Sequence, residues 1–171
     1  MAERIQTMTF EDDGKIPNNA ALPLILYRNV LPEASDRATA CRSLFEAHGW
    51  GGAWVNGVFA YHHYHSTAHE VMGVTGGRAR LRFGGEYGET VRVDTGDVVV
   101  IPAGVGHCRV EASPDFQVVG AYPDGQNWDL RTTDPDERAQ AIENIRQVPL
   151  PHQDPVMGEE GPLITHWHDA S

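Results

Sequence analysis

From Trp54 to Pro123 the chain repeats one texture. A short run rich in β-branched and aromatic residues is followed by a glycine-rich turn, and then by another such run. The runs are Val58–His65, Glu70–Val74, Ala79–Phe83, Thr90–Val93, Val98–Ile101, His107–Val110 and Phe116–Tyr122. Short strands at this close spacing predict a sandwich or a barrel. With 18 Gly and 11 Pro, the composition favours a turn-rich β protein over a helical bundle. At 171 residues the chain makes a single domain, with enough surface to bury a core without disulfides.

The flanks read differently. Residues 1–53 form an N-terminal extension with one strand at Leu22–Tyr27 and one helix over about residues 36–48. Ser35 is its expected cap, Cys41, Leu44, Phe45 and His48 recur at helical spacing, and Gly49 stops it. Residues 124–171 start a second helix at Asp134, Pro135, Asp136 and Glu137, expected over about 135–146 with Ala141, Ile142 and Ile145 inward. The Pro- and Gly-rich tail from Pro149 is expected to wrap the surface.

Charge excludes several roles. Lys+Arg total 13 against 24 Asp+Glu, a formal charge of -11, so nothing draws the chain to nucleic acid or an anionic membrane. Lys15 is the one lysine, which argues against Schiff-base chemistry. No apolar run approaches the roughly 20 residues of a membrane span, and no signal peptide is visible. Cys41 and Cys108 read as small buried hydrophobes. A cytoplasmic protein is the expectation.

Nine histidines in so acidic a chain need an explanation. In a strand, alternate side chains share a face, so His63 and His65 project together about 7 Å apart. After the turn at Ser66–Ala68, Glu70 can bring a carboxylate to the same place; so can its neighbour His69, depending on which faces inward. Gly96 to His107 then reads as strand, tight turn and strand, with Pro102 and Gly104 in the reversal and His107 opening the return.

These residues resemble the two motifs of the cupin family. The first matches at Gly57, His63, His65, Glu70 and Gly77, and the second at Gly96, Pro102, Gly104 and His107. Glu111 stands where the family has Asn. The motif spacing to Gly77 favours Glu70 over His69. The flanks Asp13–Asn19 and Gly120–Gln126 resemble the YjlB-like subgroup of small bacterial cupins, which brings no assigned reaction. The resemblance implies an all-β double-stranded β-helix, or jelly-roll barrel, with one or two flanking helices. It also implies one divalent transition metal held by His63, His65, Glu70 and His107. Three imidazoles and a carboxylate suit Mn, Fe, Co, Ni, Cu or Zn, and the Irving–Williams order leaves the choice open. Four protein ligands leave up to two octahedral positions for water, substrate or O2.

Around that centre, alternation puts Phe59 and Tyr61 on the face of His63 and His65, with Met72, Leu81 and Phe83 as apolar walls. Arg109 and Glu111 share parity with His107. Arg109 is therefore either a carboxylate-binding residue or one half of a rim ion pair with Glu111. Tyr61 and Arg109 are the candidate outer residues of the site. Arg78, Arg80 and Arg82 read as a solvated strand face, and His62, His152, His166 and His168 as structural or surface groups. Trp128 and Tyr122 are expected to pack a helix onto the barrel. The functional expectation is a metal-dependent enzyme acting on a small organic molecule, with oxygenase-type chemistry ahead of decarboxylation or isomerisation. The alternative is a cupin that binds or senses a small ligand or metal. A homodimer paired through Leu22–Tyr27 is the expected assembly.

Overall fold

The computed structural model describes residues 4–168. Nine strands run β1 (Ile5–Phe10), β2 (Asn19–Tyr27), β3 (Trp50–Asn56), β4 (Glu70–Gly76), β5 (Arg78–Phe83), β6 (Glu89–Asp94), β7 (Val98–Ile101), β8 (His107–Ala112) and β9 (Gln117–Pro123). Two helices, α1 (Arg37–Ala47) and α2 (Arg138–Gln147), and a π-helical turn at Ile164–His168 complete the elements of the described residues. The strands form a six-stranded sheet in the order β1-β2-β7-β4-β9-β3 and a three-stranded sheet in the order β6-β5-β8. Every pairing is antiparallel. This is the all-β jelly roll that the cupin resemblance implies, within the sandwich or barrel class that the short strands and turns predict. The turn glycines Gly77 and Gly104 have φ of +66° and +95°, a region that L side chains rarely adopt.

Alternation along the central strands divides the apolar residues between two layers. Leu24, Leu26, Met72, Val74, Leu81 and Phe83 point between the sheets into the inner core. Ile25, Tyr27, Val71, Val98, Val100 and Val119 point out of the larger sheet. That second face is not left to water: Cys41 and Phe45 of α1 cover part of it, and Leu163 and Trp167 of the C-terminal segment cover more. Burying a side chain of this size contributes about 1.5–3 kcal/mol.

The tail is thus a structural layer rather than a loose wrapping. Its anchor is Asp154, fully buried, which accepts the Tyr27 hydroxyl (2.6 Å) and the backbone N–H groups of Val156, Met157 and Leu163. Trp167 Nε1 donates to the Pro23 carbonyl at 2.8 Å. Among the described residues no helix is long and apolar enough to cross a membrane.

Several expectations need correction. The strand expected over Val58–His65 lies earlier, at Trp50–Asn56, because pairing with β9 ends at Asn56 and Val118. Residues 57–62 are irregular, and only His63 and Tyr64 make isolated bridges, to His107 and Arg131. Strand β1 had no clear sequence signal. It pairs with β2, whose other edge carries β7, so Leu22–Tyr27 is no free edge for a partner subunit. Helix α1 is capped by Asp36, whose carboxylate accepts from Thr39 N at 3.1 Å, and not by Ser35. Helix α2 starts at Arg138, three residues later than expected, after a turn in which Asp134 accepts from Asp136 N.

Candidate metal centre

The first residue of β4 and the first of β8 meet at one end of the barrel. Glu70 pairs with Ile101 across β4 and β7, which turns its carboxylate inward. His107 and His63 exchange two backbone hydrogen bonds, at 2.9 and 3.2 Å, which sets their rings 4.1 Å apart by centroid. The His65 carbonyl accepts Gly104 N at 2.8 Å and fixes the next residues of the loop. Despite the missing strand, His63 and His65 therefore face one cavity with Glu70 and His107.

Two geometric facts define what this cluster can do. Glu70 is 2% exposed, and neither of its oxygens has a hydrogen-bond partner. Instead, Oε2 lies 3.5 Å from His65 Nε2 and Oε1 lies 3.4 Å from His107 Nε2. Ligand atoms around one ion at about 2.1 Å stand about 3–3.5 Å from each other, so these spacings fit a shared ion. The second fact concerns the tautomers. Nδ1 of His63 faces the Tyr61 carbonyl at 3.0 Å, Nδ1 of His107 faces the Val105 carbonyl at 3.1 Å, and Nδ1 of His65 faces the Asp129 carbonyl. A carbonyl can only accept, so each Nδ1 carries the hydrogen and each Nε2 keeps its lone pair.

His65, Glu70 and His107 are the tight set, each offering a ligand atom within 4.8 Å of the others. His63 lies outside that set but in the same wall, its ring 6.1 Å from that of His65 and edge-on to Phe59 and Tyr61. His69 faces the other way. Its Nδ1 accepts Ala103 N at 2.9 Å, and its ring stands against Trp167 at 4.7 Å.

Charge inside the cluster is self-consistent. Burial, then the neighbouring His107, pushes His63 down to about 3. When no metal occupies His65 Nε2, a proton there faces the Glu70 carboxylate; burial opposes charge on both groups, yet their mutual attraction prevails. It raises the imidazole and, with His107, holds the carboxyl well below the usual range. Burial and the Glu70 charge raise the Tyr122 phenol and keep it neutral.

Around the cluster is a cavity of about 480 Å³. Met72 lines it as expected, while Leu81 and Phe83 belong to the packed core. Tyr122 and Trp128 line it too, stacked on one another at 6.0 Å, rather than seating a helix. Trp54 joins them and donates Nε1–H to the Tyr122 hydroxyl at 2.7 Å. Tyr61 contributes its backbone carbonyl to His63, while its side chain stacks on Phe59 at 5.0 Å.

Asp129 gave no signal in the sequence, because it lies in an irregular stretch with no period. It nonetheless positions His65. Its carbonyl faces His65 Nδ1, and its carboxylate takes Ser66 N at 2.6 Å and pairs with Arg131 at 2.8 Å.

Comparison with known proteins places the chain in a family. The cupin family model matches residues 56–128. The "Uncharacterized protein YjlB" of Bacillus subtilis (strain 168) is 44% identical over 167 residues, covering 98% of this chain and 99% of that one. The chain is a YjlB-like cupin. Solved structures resemble it more distantly. Tomato vicilin is 19% identical with a TM-score of 0.41, over 71% of this chain and 35% of its own. The coconut allergen cocosin is 20% identical with a TM-score of 0.40, over 57% of this chain and 28% of its own. This cupin therefore spans about a third or less of those two chains.

Proposed function

We propose that His63, His65, Glu70 and His107 hold one divalent transition metal, and that this cupin is a metal-dependent enzyme acting on a small organic molecule. The observation that carries the proposal is the pair of orphaned Glu70 oxygens, buried and facing two imidazole lone pairs. A buried carboxylate without donors costs free energy that a cation offsets. When bound, the metal supplies Lewis acidity and a site for oxidative chemistry.

The protein's own groups supply the rest. The three backbone carbonyls fix the imidazole tautomers, and Glu70 neutralises part of the cation's charge. Tyr122, held by the Trp54 indole, stands beside the carboxylate. The aromatic cavity above leaves room for a substrate beside the four ligands.

Oxygenase-type chemistry is the first reaction class to test, ahead of decarboxylation and isomerisation. The experiment is elemental analysis of the purified protein, followed by O2-uptake assays with Fe-, Mn-, Ni- and Cu-loaded protein against a panel of small acids. Turnover with any of these metals supports the enzyme. A protein that carries only Zn and turns over nothing is a binding or sensing cupin instead. For assembly we propose a cytoplasmic homodimer that pairs through β1, an edge of the larger sheet. A monomer by light scattering at micromolar concentration would reject it.

A further inference from the structure

A β-bulge in β8 decides what the cavity can recognise. Arg82 pairs with Cys108 and Leu81 with Arg109, but Arg80 pairs with Glu111, so Val110 is the extra residue. A bulge of this kind re-aims the side chains beyond it. Strict alternation would turn Glu111 inward beside Arg109. With Val110 inserted, Glu111 turns out of the sheet and pairs with Arg80 at 3.6 Å. Arg109 stays on the His107 face and lines the cavity. Its guanidinium makes no ion pair or side-chain hydrogen bond among the described residues. It is also the one Arg or Lys in that wall, where Glu70 is the one carboxylate and is the proposed metal ligand.

The rest of the wall is aromatic and apolar. Phe59 is 49% exposed and Trp128 is 50% exposed, although each is held flat against a second ring, Tyr61 and Tyr122. Two half-bare rings with fixed planes are surface that an apolar ring of a ligand would cover. The wall holds one neutral amide, Asn56, and one guanidinium. A polyol would leave its hydroxyls without partners, and a polyanion would meet a single cation in a chain of charge -11.

We propose that the cavity binds the anion of a small monocarboxylic acid with an apolar, ring-bearing body, its carboxylate on Arg109 and its ring among Phe59, Trp54 and Trp128. The proposal rests on the reading that this cavity is the functional site. Guanidinium takes a carboxylate through two parallel hydrogen bonds, which orients the ligand as well as holding it. Arg109 is thus a specificity residue, separate from the metal ligands.

The test titrates phenylacetate, phenylacetamide and acetate into wild type, Arg109→Gln and Arg109→Lys by calorimetry, with the metal content of every sample measured in parallel. Wild type should bind phenylacetate more tightly than either of the other two probes by about tenfold or more. Arg109→Gln should bind the acid and the amide alike while keeping its metal, and Arg109→Lys should keep part of the preference. Phe59→Ala should weaken phenylacetate and leave acetate unchanged. A preference for the acid that survives in metal-replete Arg109→Gln places the carboxylate on the metal and overturns the proposal. So does equal binding of acid and amide by wild type, or no binding of any probe. If wild type holds no metal but shows the Arg109-dependent preference, the metal reading fails and this one stands.

Discussion

His69 and Glu70 are neighbours in the chain, both titratable and both almost fully buried, and they occupy opposite environments. Glu70 looks into a polar cluster whose lone pairs converge on one point. His69 looks into the outer layer, where burial alone pushes it down to about 3 and holds it neutral. One of its nitrogens is satisfied by Ala103, the other has no hydrogen-bond partner, and Trp167 packs against the ring. Burial of an ionisable group therefore does not by itself mark a site. What marks this one is several unspent donor atoms that share a focus.

The largest effect should come from exchanging charge on the inner side. Glu70→Gln keeps the shape and removes the negative charge, so metal affinity should fall by at least about 100-fold. Without metal the same variant should be less stable than wild type near neutral pH, because it loses the attraction to His65 and His107 that holds the Glu70 carboxyl below its usual range. His65→Ala and His107→Ala should also lose the metal. His69→Gln should bind metal as wild type does. Elemental analysis and thermal melts with and without added metal measure all four, and a His69→Gln protein that loses its metal would invert the two faces.

The outer layer should answer in stability instead. Trp167 is fully buried, so Trp167→Ala should destabilise the fold by about 3–5 kcal/mol. Metal bound per folded molecule should stay the same. Denaturant melts give the first quantity and elemental analysis the second. Loss of metal at unchanged stability would mean that the tail belongs to the site.

Acid should act through His69 in a way that Glu70 cannot. The folded-state pKa of His69 lies below its ordinary value of 6.5, so the unfolded chain binds a proton that the folded chain refuses. Its contribution to stability is complete above about pH 6.5 and is lost as pH falls toward 3, by up to about 1.4 kcal/mol per pH unit. His69→Gln should flatten this part of the stability profile. A profile equally steep in the variant would show that His69 is not the group responsible.

The cluster was legible in the sequence to the extent that it is local. His63, His65, Glu70, Pro102, Gly104 and His107 sit at spacings that short strands and turns enforce, and the structure gathers the four candidate ligands around one cavity. The division of labour between His69 and Glu70 was legible only through motif spacing, since either parity gives an acceptable run of apolar neighbours. What the sequence hid depends on contacts distant along the chain. The carbonyl of Asp129 meets His65 across 64 positions, and Asp154 holds Tyr27 across 127. The edge strand β1 alternates weakly, because half of it faces water. The bulge at Val110 has no composition signal of its own and appears only in the register between β5 and β8.

That bulge gives the smallest and most discriminating expectation. Arg80 and Glu111 are 53% and 65% exposed along their side chains, so their pair is solvent-screened. Glu111→Gln should cost less than about 1 kcal/mol in stability. It should also leave metal content and phenylacetate affinity unchanged, since Glu111 faces away from the cavity. Had the strand continued without the extra residue, Glu111 would stand beside Arg109 and compete with any incoming carboxylate. Glu111→Gln would then tighten phenylacetate binding. Calorimetry on this one variant thus separates a bulged β8 from a regular one, and unchanged affinity is the result that the register between β5 and β8 requires.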